Sequence, residues 1–109
     1  MANKLPYEAK TSMGEVMNID FTLHPQTASP MRVTQMLSMI LEGLDRDIGI
    51  VGDTSNGDVL QALAMALAIR SEMIPAPSDV TNLMSVSLLQ QALQDTNRCE
   101  RTSPQTGTA

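Results

Sequence analysis

The sequence holds no tryptophan, and only one phenylalanine, one tyrosine, one histidine and one cysteine among 109 residues. Each shortage excludes something. With 2% aromatic residues any core must be built from aliphatic side chains. A lone Cys99 cannot form a disulfide within the chain, which fits a reducing, cytoplasmic setting. The single imidazole, His24, precedes Pro25 in a turn-rich stretch, and Cys99 stands in a polar tail. A Cys–His nucleophilic pair would have to join those two, so the expectation is that the chain is not an enzyme.

Positive charge is scarce as well. Seven Lys and Arg face twelve Asp and Glu, for a net charge of −5, and the seven are scattered. Nucleic acids and anionic membranes select clustered Lys and Arg, so both are disfavoured as partners. The N-terminal MANKLPYEAKTSMGEV has no continuous apolar core of signal-peptide length, and no stretch approaches the roughly 20 apolar residues of a membrane span.

What the chain does have is aliphatic helix. Ala62 to Ile69 reads ALAMALAI, built from residues that lose little rotamer freedom in a helix. A helix apolar on every side must be covered on every side. Nine methionines add a soft, adaptable component suited to an irregular core or a plastic binding surface.

Residues 1–15 carry Pro6 and Gly14 without sustained periodicity, which reads as a mobile arm. From Val16 the apolar Met17, Ile19, Phe21 and Leu23 alternate with Asn18, Asp20 and Thr22, the period of a half-buried strand. Its partner is either Ile48–Val51 or the same strand of a second copy. Ser29 before Pro30 predicts a helix over about 30–46 whose core-facing stripe is Val33, Met36, Leu37, Ile40, Leu41 and Leu44. Ser55 and Asp58 predict a second helix over about 58–73, closed by Pro75 and Pro77. Ser78 and Asp79 predict a third over about 79–96, and residues 98–109 read as a disordered tail. The expected fold is mainly α: residues 16–97 as one small three-helix bundle, with a strand at 16–23 pairing across a dimer.

The glycines Gly49, Gly52 and Gly57 do not make a phosphate loop, because Asp58 stands where that loop carries lysine. Asp45, Asp47, Asp53 and Asp58 do not make a calcium loop. Counted from Asp53, the sixth position is Asp58 and the twelfth Ala64, where the template needs Gly and Glu. No metal or cofactor is expected.

The order of a short strand and two helices over residues 16–73 resembles that of ribbon-helix-helix DNA-binding proteins in outline. The resemblance implies a dimeric transcription regulator whose Asn18, Asp20 and Thr22 would face the DNA groove, a poor place for Asp20. The leading expectation is therefore a non-enzymatic helical protein, acidic and methionine-rich, that self-associates and binds another protein as an adaptor, regulator or small chaperone. The residues expected at the interface are Met39, Met65, Ile69, Met73 and Met84, with Met17, Ile19, Phe21 and Leu23 on the strand shared by a dimer.

Overall fold

A computed structural model describes residues 3–103. Its elements are β1 (Lys4–Lys10), β2 (Val16–Thr22), α1 (Pro30–Val51), α2 (Asn56–Glu72), α3 (Ser78–Asn97) and β3 (Glu100–Thr102). The fold is mixed, three helices with a three-stranded antiparallel sheet in the order β1-β2-β3, and not mainly α as the periodicity suggested. The described residues form two compact units, one of residues 3–30 with 88–103, the other Met31–Ser87. Helix α3 contributes its first half to the second unit and its last half to the first.

In the sheet unit the expected alternation holds. Ile19 and Leu23 are buried, Met17 and Phe21 are half-buried, and Asn18 and Asp20 are exposed. The partner strand comes from the same chain. Residues 4–10, expected as an arm, pair along the whole of β2, with Leu5 opposite Phe21 and Tyr7 opposite Ile19. On the other side of β2, Val16–Asn18 pairs with β3, drawn from the expected tail; residues 104–109 of that tail lie outside the described residues.

A tight turn makes the hairpin possible. The Gly14 N–H donates to the Thr11 carbonyl at 2.9 Å and the Thr11 N–H to the Glu15 carbonyl at 2.8 Å, with Gly14 at φ 86°. A left-handed glycine after a turn gives the chain the twist its flanking strands need.

Pro6 is placed where it does no harm. The Leu23 N–H donates to the Asn3 carbonyl at 2.8 Å, so by alternation the odd residues of β1 turn their backbone groups toward β2 and the even ones turn theirs outward. Proline's missing N–H then falls on the free edge, between Lys4 and Lys10. Proline and lysine on an edge strand both discourage another strand from adding to it.

The helices begin where the capping residues put them. α1 starts at Pro30 directly after Ser29, and the Ser55 hydroxyl caps α2 by accepting the Gly57 N–H at 3.2 Å. α1 runs five residues beyond the expected Arg46, absorbing Gly49 and the segment Ile48–Val51 that offered itself as a strand. Its stop is Gly52, at φ 104°, whose N–H closes on the Ile48 carbonyl at 2.8 Å.

In the helical unit no two helices lie against each other along their length, and α1 has no buried residue. Its stripe is only half-covered: Val33, Leu37, Leu41 and Leu44 are intermediate, while Met36 and Ile40, expected inward, are exposed. Periodicity specifies a face that needs cover. It does not say that this chain supplies the cover.

Candidate protein-interaction surface

Among the described residues Ile19 and Leu23 are the only buried large apolar side chains. Twenty large apolar residues are exposed, nineteen of them on the helices or in the turn that closes α2. The five residues expected at an interface are all among them. Met65, Ile69 and Met73 recur every four residues along α2, so they share one face, and Met65 is 54% and Ile69 57% exposed. Met39 and Met84 stand exposed on α1 and α3. The structure thus places three of the five on one helix face and the other two on separate helices. Met39 borders a shallow groove of about 500 Å³ along α1, lined by Thr34, Ser38, Gly43 and Arg46. A Cβ added at Gly43 would meet nothing within 4 Å.

The placement of charge gives this surface a character that residue counts hide. Val33–Leu41 in α1, Val59–Ile69 in α2 and Val80–Gln94 in α3 contain no charged residue. In α2 and α3 the charges sit toward the helix ends, and Asp58 in the first turn of α2, Arg70 in its last and Asp79 in the first turn of α3 each have the sign that complements the helix dipole. Helices with charged ends and neutral middles can bring their middles together without like-charge repulsion, even in a chain of net charge −5. That signal was readable in the sequence as charge-free spans.

The turn between α2 and α3 is tied down by polar contacts. The Ser78 hydroxyl donates to Glu72 Oε1 at 2.7 Å, and the Thr81 hydroxyl to the Ser78 carbonyl at 3.2 Å. Ser71 is buried nearby on α2 with no hydrogen-bond partner for its hydroxyl. A buried, unpartnered hydroxyl destabilises, and alanine is the better helix former. Ser71→Ala is therefore expected to leave the protein unchanged or to stabilise it by up to about 1 kcal/mol, read as an equal or higher thermal midpoint.

The sheet unit offers a different chemistry. Lys4, Asn18, Asp20, Asp95, Arg98 and Glu100 line a polar cleft of about 320 Å³. Asp95, only 5% exposed, is engaged in structure: its Oδ2 accepts the Thr22 N–H at 2.7 Å, and its Oδ1 accepts from the Thr22 hydroxyl at 3.3 Å and Gln91 Nε2 at 3.2 Å. Burial raises the carboxyl's pKa. The Thr22 N–H, the Gln91 amide, the Thr22 hydroxyl and the charge of Lys4 together outweigh it, and the net shift is below the ordinary value of 3.8. His24 serves its own turn, its Nδ1 accepting the Gln26 N–H at 3.0 Å. No group of three metal-ligating side chains is found among the described residues, and no described helix is long and apolar enough to cross a membrane.

Comparison of the chain with protein-family models, with characterised proteins and with solved structures finds no match.

Proposed function

We propose that this chain is a non-enzymatic assembly protein: its helical unit packs against further copies of itself, and the assembled form offers its remaining faces to another protein. The observation that carries this reading is the imbalance of burial. Only two large apolar side chains are buried among the described residues while twenty are exposed, a balance that further copies of the chain would redress by covering apolar surface.

The exposed apolar surface is large enough for that. Twenty exposed side chains, at roughly 60–100 Å² apiece from the usual transfer energies, amount to on the order of 1,000 Å² or more. A standard interface takes about 800 Å² from each partner. Exposed apolar surface in this amount favours association, and the neutral helix middles let acidic copies meet there.

Absolute molar mass by light scattering after size exclusion, at two concentrations, tests the proposal. The expected result is an oligomer whose mass falls on dilution only near its dissociation constant. A monomer that is well folded at every concentration would sink it.

A further inference from the structure

The sequence holds five asparagines, and Asn56 alone precedes a glycine. Asn3, Asn18, Asn82 and Asn97 stand before Lys4, Ile19, Leu83 and Arg98, whose side chains crowd the backbone nitrogen that follows the asparagine. Gly57 leaves that nitrogen open and lets the peptide rotate. The fold does not ask for glycine here. Gly57 does not share the positive φ of Gly14 and Gly52, and a Cβ added to it would meet only the Ser55 Oγ, at 3.5 Å. The pair opens α2, with Asn56 as the first residue of the helix and Ser55 as its cap. The Ser55 hydroxyl accepts the Gly57 N–H at 3.2 Å, and the Ser55 carbonyl accepts the Val59 N–H at 3.1 Å. Asn56, Gly57 and Asp58 are all exposed. Opening this turn uncovers no buried side chain, and helix ends of that kind fray at little cost.

We propose that Asn56–Gly57 is a self-modifying site, at which the folded protein converts its own asparagine to aspartate and isoaspartate with water as the only co-reactant. Fraying of the first turn brings the Gly57 backbone nitrogen to the carbonyl carbon of the Asn56 side chain. The nitrogen gives up its proton, bonds to that carbon and closes a cyclic imide, and the side-chain nitrogen leaves as ammonia. Water then opens the imide. Cleavage of the new bond gives aspartate in an unaltered main chain, whereas cleavage of the original peptide bond leaves the chain running through the side chain as isoaspartate. Either product adds one carboxylate. The helix N-terminus favours both the anionic nitrogen that attacks and the negative charge that results. Isoaspartate also adds a methylene to the main chain between Ser55 and Gly57, so the Ser55 cap falls out of register and α2 starts later. The site is independent of the self-association proposed above.

The test ages the purified chain in mildly alkaline and in mildly acid buffer, follows its charge by isoelectric focusing and maps each asparagine by peptide mass. The expected wild type gains one negative charge, located at Asn56, as a mixture of aspartate and isoaspartate. The gain is faster in alkali, where the attacking nitrogen loses its proton more readily. Asn82, equally exposed within α3, is the internal reference, so the reading needs no variant. Gly57→Ala, which the space around Gly57 accepts and which favours helix, is expected to slow Asn56 to the pace of Asn82. The wild type aged in urea completes the comparison. Conversion in urea but not in the folded protein means that the helical turn protects Asn56, and it overturns the proposal. So does an Asn56 that keeps its amide as long as Asn82, or a Gly57→Ala chain that ages as fast as the wild type.

Discussion

Met65→Asp is expected to lower the affinity between protomers at least 100-fold and to drop the thermal midpoint by more than about 10 °C. Met65 is 54% exposed in the protomer, so the protomer itself tolerates a carboxylate there, solvated. Association would bury that carboxylate against neutral, aliphatic helix middles, in a span, Val59–Ile69, that carries no cation. An unpaired charge in such a place costs several kcal/mol, and 3 kcal/mol is already about a 150-fold change in an equilibrium constant. Under the proposed self-association the loss spreads to stability, because burial between copies would supply what the protomer lacks. Met65→Leu, similar in volume and equally apolar, is expected to be silent in both measurements. Gln26→Asp, which adds the same charge in the exposed link before α1, separates a local effect from a rise in net charge. Sedimentation and thermal melting at one fixed concentration read all three. Wild-type behaviour of Met65→Asp would mean that this face of α2 stays wet in the native state.

The sequence announces the helices through local chemistry. A hydroxyl cap before Pro30, a second at Ser55 and the prolines after Ile74 act within a turn of where they stand, so three helices are legible to within a few residues except at one end. At that end Gly49 and the β-branched Ile48, Ile50 and Val51 imitate a loop and a strand. A mid-helix glycine costs only about 1 kcal/mol, which α1 tolerates until Gly52 takes a conformation that helix cannot. Strand β1 left a legible trace, since Leu5, Tyr7 and Ala9 alternate with Lys4, Pro6, Glu8 and Lys10. Proline concealed it, because a break and an edge strand use the same residue. Strand β3 left none. Glu100–Thr102 contains no apolar residue and is a strand by virtue of pairing with Val16–Asn18, supported by Arg101 on Glu15 at 3.0 Å.

The interaction surface divides in the same way. That α2 must be covered follows from its composition alone. That α1 and α3 do not cover it is a property of three-dimensional arrangement, and periodicity carries no information about which molecule fills a groove. The same limit hides the role of Asp95: a carboxylate near the end of a lone helix is ordinarily solvated, and its value to this fold arises from Thr22, 73 positions away in the sequence.

Removing that carboxylate is the second large expected effect. Asp95→Ala leaves the Thr22 N–H without its acceptor and Gln91 without its partner, an expected cost of about 2–3 kcal/mol in the sheet unit. Asp95→Asn can still accept the Thr22 N–H through its amide oxygen, so it should lose less. The wild type and Asp95→Asn also part in their response to acid. Because the native carboxyl titrates below its ordinary 3.8, the unfolded state binds the proton first, and the stability due to Asp95 is complete above 3.8. It drains away as the pH falls from there through the lower native value. Urea denaturation at fixed protein concentration should therefore show a wild type that loses stability over this acid window more steeply than Asp95→Asn, with the two curves converging at the lowest pH. Parallel curves would mean that the carboxylate's charge contributes nothing and that only the shape of the acceptor matters to Thr22.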